Sequence, residues 1–193
     1  MIVDFRRSRL CHQPVNICGE DIEVMPTYKY LGVHLDDRLD WSLNTDALYR
    51  KGQSRLFFLR RLRSFDICRK TLQMFYQSVV ASVLFYAAVC WGSSIKHKDV
   101  RRLDKLVKKA GTVIGTRLDS LGAVVERCTQ KKVEDILKYT DHPLHKIFVD
   151  QRNSGSGRLI SLRRMTERFK RSFIPAAIRL YNSLSNGRVD LCN

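Results

Sequence analysis

YKYLGVHLDDRLDWSLNTDALYRKGQSRLFFLRRLR, residues Tyr28 to Arg63, is the stretch in which the chain changes its period. Its opening, Tyr28 to Leu35, is aromatic and branched at Tyr28, Tyr30 and Val33, a composition that suits a pleated strand. Asp36, Asp37 and Asp40 close that run, and Asp40 or Ser42 is placed to cap a following helix. Leu48, Gly52, Leu56, Leu59 and Leu62 then recur at spacings of four, four, three and three, which marks one face of a helix ending near Arg63.

Upstream, Met1 to Arg6 is rich in strand formers, and Val15 to Cys18 meets Glu20 to Val24 across Gly19, the pattern of a hairpin. Downstream, Leu72, Phe75, Tyr76, Val79, Val80, Val83, Leu84 and Ala87 form a wide apolar stripe ending at Trp91-Gly92. A stripe of that width predicts a central helix covered on most sides. Val100, Leu103, Val107, Ala110 and Ile114 outline a third helix with Gly115 as its stop, and a fourth runs from about Leu121 to Leu137 before His142-Pro143. Asn153-Ser154-Gly155-Ser156-Gly157 reads as a linker, and Phe173 to Leu184 as a short helix with Pro175 in its first turn. The expectation is an α+β fold in three parts: a β segment over 1–40, a helical bundle over 41–150, and a mobile basic tail over 151–193 with a short helix.

With 193 residues, 44% of them hydrophobic, the chain has material for a core, which excludes wholesale disorder. Lys and Arg number 35 against 19 Asp and Glu, a net charge of +16. Such an excess concentrates polyanions at the surface. The cysteines (Cys11, Cys18, Cys68, Cys90, Cys128 and Cys192) are scattered and show no C-x-x-C spacing. Free thiols in a reducing compartment follow, with the nucleus or cytoplasm as the expected location. The most apolar stretch, Val79 to Trp91, is too short for the roughly 20 apolar residues of a membrane span, so no membrane partner is expected.

The cations fall in three stripes. Residues 50 to 63 carry Arg50, Lys51, Arg55, Arg60, Arg61 and Arg63 without an acid. Residues 96 to 109 carry Lys96, Lys98, Arg101, Arg102, Lys105, Lys108 and Lys109 against Asp99 and Asp104. Residues 158 to 171 add Arg158, Arg163, Arg164, Arg168, Lys170 and Arg171 against Glu167. Three stripes together point to RNA or DNA backbone, and the candidate contacts are Arg60, Arg61, Arg63, Lys98, Arg101, Arg102, Lys105, Lys108, Lys109, Arg163, Arg164 and Arg168. Phe57 and Phe169 are the aromatic residues placed among them for base stacking.

Catalytic constellations are sparse. Asp36-Asp37 is the one adjacent acidic pair, and no further Asp stands beside it to hold two cations, so a turn and capping role is expected. His34-Leu35-Asp36 has the H-x-D spacing of a non-haem iron site, with His97, His142 or His145 as third ligand. The helical period from residue 42 argues against the β-helix that houses such sites. Cys11, His12 and Cys18 are too few for a zinc finger, and His142-Pro143-Leu144-His145 reads as a turn. No catalytic residue, metal ligand or cofactor is assigned.

Several stretches resemble a family. Met1-Ile-Val-Asp-Phe-Arg-Arg7, Tyr28 to Asp36 with Leu39-Asp-Trp41 and Asn44, Gln53 to Arg63, Phe75-Tyr-Gln-Ser78, Cys90-Trp-Gly-Ser93, His142-Pro-Leu144, and Ser172 to Ala177 with Leu180-Tyr-Asn182 are similar, in order, to the region after the palm of LINE-type (non-LTR) retrotransposon reverse transcriptases. The resemblance implies helices that grip template and primer backbones, and it places the family's catalytic Asp-Asp turn upstream of Met1. A non-catalytic nucleic-acid-binding remnant is therefore expected. Leu35 to Phe65 is also similar to a module catalogued under the amino terminus of an AlkB-type alkylation-repair protein, which implies a dioxygenase or methyltransferase label. A further alternative is a helix-mediated interaction module using the seam at Val100 to Ile114. Removal of a palm would leave Ile2, Phe5, Val15, Ile17 and Val33 uncovered and favour self-association.

Overall fold

The computed structural model describes residues 3, 15–152, 158–161 and 166–189. β1 (Asn16–Ile17) and β2 (Glu20–Asp21) form the hairpin expected at Gly19. Cys18 and Gly19 turn at φ 54° and 87°, and Asn16 Oδ1 accepts the Gly19 N–H at 2.8 Å. β3 (Thr27–Tyr30) and β4 (Val33–Asp36) form a second hairpin, in register Tyr28 to Leu35 and Tyr30 to Val33. Tyr28 to Leu35, expected as one strand, is thus two. Leu31 and Gly32 take φ values of 45° and 85°, the paired positive angles of a primed hairpin turn, and the chain reverses there. The hairpins belong to separate two-stranded sheets. Most of Met1 to Arg6 lies outside the described residues.

α1 (Ser42–Arg63) buries Leu48, Gly52, Leu56 and Leu59, the face drawn by the sequence period. α2 (Arg69–Phe75), a π-helical segment (Tyr76–Ala81) and α3 (Ser82–Leu84) run back along it in one line. A Cβ on Gly52 would stand 2.7 Å from Leu84 Cδ2 and 3.0 Å from Leu106 Cδ1, so three helices close on this residue because it has no side chain. The central helix, expected to run to Trp91-Gly92, stops at Leu84. Ala87 turns at φ 50°, α4 (Ala88–Trp91) restarts, and fully buried Trp91 donates Nε1–H to the Tyr86 carbonyl at 2.9 Å. Breaking the helix there lets the indole enter the core with its polar atom satisfied.

α5 (His97–Ile114) lies on α1 with residue numbers rising together, Lys96 meeting Asp40 and Arg102 meeting Asp46. Gly115, at φ 78°, stops it as expected. α6 (Leu121–Lys138) starts on the Ser120 hydroxyl, which accepts the Ala123 N–H at 3.3 Å. α7 (His145–Asp150), α8 (Glu167–Arg171) and α9 (Phe173–Val189) complete the described chain.

One core gathers Trp41, Leu56, Leu59, Leu72, Leu84, Trp91, Leu103 and Ala110 between α1 and α5. A second joins Val133 and Ile136 of α6, Phe148 of α7, Leu159, and Ala177 and Ile178 of α9. Asn182 bonds both the N–H and the carbonyl of Leu159, at 2.9 and 2.7 Å. The described part of 151–193 therefore packs on α6 and α7. The cause is an apolar face on α9 that α6 covers, reinforced by Ser93 and Ser94 hydroxyls donating to the Arg171 carbonyl at 2.7 and 2.8 Å. No helix among the described residues is long and apolar enough to cross a membrane.

Candidate nucleic-acid interface

α5 sorts its residues by charge. Leu103, Leu106, Val107, Ala110 and Ile114 face the core, each at most 4% exposed. Lys98, Arg101, Lys105 and Lys108 are exposed and recur at three- and four-residue steps, so they form one row with Lys109 beside it. At 1.5 Å rise per residue the row from Lys98 to Lys108 extends about 15 Å. Both acids of the helix are withdrawn from it. Asp99 is buried in the first turn, where the helix dipole favours an anion, and Asp104 Oδ1 accepts the Leu121 N–H at 2.7 Å. The outer row is cationic with no carboxylate among its members.

Arg102 stands apart from that row. Its guanidinium pairs with Asp46 of α1 and stacks over the Tyr49 ring at 3.9 Å. The Asp46 bond raises its pKa further, and the side chain clamps α5 to α1. Lys96 is likewise engaged, donating to Asp40 Oδ2 at 2.7 Å and Ser42 Oγ at 3.1 Å. Burial pushes the Asp40 carboxyl up, but the Lys96 and Ser42 bonds outweigh it and hold the pKa at about 2. The seam at Val100 to Ile114 is filled by this same α1 contact, so it offers no open face to a foreign helix.

On α1, Arg50, Lys51, Arg60, Arg61 and Arg63 are exposed, while Arg55 reaches across to donate to the Val79 carbonyl at 3.3 Å. Arg60, Arg61 and Arg63 occupy the last turn, where the helix dipole is negative. Arg61 sits 5.1 Å over Phe65, and Phe57 and Phe58 meet edge to face at 5.6 Å. His34, where β4 meets α1, has its pKa lowered by burial and by Lys29, Lys51 and Arg50. At the other end, Arg168 and Arg171 of α8 line a depression of about 250 Å³ with Arg38 and Lys96. Asp40 and Glu167 line the same depression and pair with Lys96 and Arg171, so the third stripe meets the start of the second across matched charges. Arg163 and Arg164 lie outside the described residues. Phe169 is 39% exposed on α8.

Asp36 has the structural role that its position suggested. Its carboxylate is buried and accepts the N–H groups of Arg38, Asp40 and Trp41 at 2.9 to 3.2 Å. These bonds hold the turn that leads from β4 into α1. Among the described residues no group of three or more His, Cys, Asp or Glu is placed to hold a metal. The described cysteines, Cys18, Cys68, Cys90 and Cys128, are free. Two features escaped the sequence reading: the Arg102–Tyr49 stack, whose partners lie on different helices, and exposed Phe58.

Residues 41–82 match a family model. Its description is alkylated DNA repair protein alkB homolog 8, N-terminal. The match runs from buried Trp41 through α1 and α2 to the first residue of α3, so the AlkB-type resemblance begins later and reaches further than Leu35 to Phe65. No curated protein and no solved structure matches the chain.

Proposed function

We propose that the chain is a non-catalytic protein that binds nucleic-acid backbones without sequence preference through the outer row of α5. The carrying observation is the charge segregation of that helix, with Lys98, Arg101, Lys105 and Lys108 exposed in a row while Asp99 and Asp104 are withdrawn. Such a row neutralises phosphates by position and charge and reads no base edge. The net charge of +16 supplies long-range attraction to the same partner. The sequence resemblance to the post-palm region of LINE-type reverse transcriptases implies a partner of the same class. The matched family, named for a DNA repair protein, suits the same partner class. The test is a titration of the full chain against duplex, single-stranded and hybrid oligonucleotides at several salt concentrations. Binding to all three that falls steeply with salt is expected from counterion release, and no binding at moderate salt would overturn the reading.

The family match favours a second reading, an AlkB-type alkylation-repair enzyme. Succinate release from 2-oxoglutarate with iron(II), dependent on alkylated DNA, would establish it. No succinate release under those conditions would refute it.

A further inference from the structure

A second surface of the protein has a chemistry that phosphate contacts alone do not use. Where α1 packs on α2 and the π-helical segment, a groove of about 550 Å³ opens, within the size range of small-molecule clefts. Phe58, Leu62, Phe75 and Val79 form its apolar surface, and Lys51 and Arg61 stand among its charged lining; no carboxylate lines it. Phe58 is 54% exposed although it lies on a helix with a well-filled core face. Phe57 and Phe65, at 63% and 62%, are exposed on the same end of the bundle.

Exposed phenyl rings beside guanidinium and ammonium groups suit a planar, anionic polymer. We propose that this groove takes an unpaired nucleobase of a single strand, with Phe58 as its stacking surface and Lys51 and Arg61 on the flanking phosphates. The inference rests on the nucleic-acid reading above and narrows its partner to single strands or unpaired ends. In a duplex both faces of each base are already stacked, so only an unpaired base presents a face to a ring. Every base has such a face, so the contact adds affinity without sequence preference.

The backbone of the groove supports a built site. The wall opposite α1 contains the π-helical turn, a form that is rare and often found at functional sites. Arg55 bridges the two walls through the Val79 carbonyl, which holds the groove's width. The occupant's charge is set by the rim. An uncharged apolar helix would leave Lys51 and Arg61 without counter-charge, whereas a nucleotide brings its own phosphates.

The test compares a single-stranded thymidine 20-mer, its duplex, and an abasic single strand of equal length. Each is titrated against the full wild-type chain, Phe58→Ala, Phe58→Trp and the α5 triple change Arg101→Gln, Lys105→Gln, Lys108→Gln. Because Phe58 is largely exposed, thermal unfolding should match wild type. Phe58→Ala should weaken the thymidine strand about tenfold and leave the duplex and abasic strand unchanged, with Phe58→Trp restoring affinity. Equal affinity of Phe58→Ala and wild type for the thymidine strand overturns the groove, as does an equal loss on the abasic strand. An acidic peptide bound there that the thymidine strand fails to displace also overturns it, in favour of a protein partner. The triple change separates the two ideas. If it leaves all binding intact while Phe58→Ala does not, the α5 reading fails and the groove stands. If the triple change weakens all three ligands and Phe58→Ala none, the reverse holds. No binding of any strand by wild type refutes both.

Discussion

Changing Arg101, Lys105 and Lys108 together to Gln removes three charges from one row of α5. All three are exposed, and the buried face of Leu103, Leu106, Val107, Ala110 and Ile114 is untouched. Each phosphate contact contributes about 0.9 to the slope of log affinity against log salt on duplex and about 0.7 on single strands. Loss of three contacts should flatten the slope by roughly 2 to 3. Over a fourfold rise in salt, the affinity lost by the variant should then be about 20- to 40-fold smaller than that lost by wild type. Fluorescence anisotropy with labelled oligonucleotides across that range reads the effect directly. A control changing Lys131, Lys132 and Lys138 of α6 to Gln removes the same number of exposed charges away from the row. Its slope should stay near wild type. Equal flattening in both variants would show that net charge acts and the α5 row does not, which refutes the interface.

Arg102→Gln should leave the salt slope unaltered while lowering Tm. Its half-exposed ion pair with Asp46 and its stack on Tyr49 together contribute about 1 kcal/mol, or about 2–4 °C by differential scanning fluorimetry. A changed slope with unchanged Tm would return Arg102 to the phosphate-binding set. For Asp40, the folded pKa near 2 lies below the ordinary 3.8, so its pairing with Lys96 stabilises the fold above about pH 4. That contribution is lost as pH falls from about 4 to about 2, and screening at this partly exposed site keeps it modest. The Tm gap between wild type and Asp40→Asn should be flat above pH 5 and close in that window; a gap independent of pH would refute the ion pair. Ile178→Ala, at a site 1% exposed, should cost about 2–5 kcal/mol in urea unfolding. A loss below about 0.5 kcal/mol would mean that α9 does not pack as described.

Periodicity and glycine alone located α1, α5 and α6. Leu48, Gly52, Leu56 and Leu59 share a face because a helix turns once in about 3.6 residues, and Gly115 stops α5 because it accepts a positive φ. The cationic stripes were equally plain, being a matter of composition. What the sequence left open depends on contacts between distant positions. Leu31, Ala87 and Trp41 adopt positive φ although their side chains disfavour it, because the hairpin turn, the burial of Trp91 and the start of α1 require it. The packing of the carboxyl-terminal residues was hidden because Leu159 and Asn182 lie 23 positions apart. The candidate site divides the same way. Its sign was legible as charge, but which cations remain outward was decided in three dimensions. Arg102 and Lys98 share one stripe of sequence, yet a carboxylate on a neighbouring helix draws in the first and leaves the second on the surface.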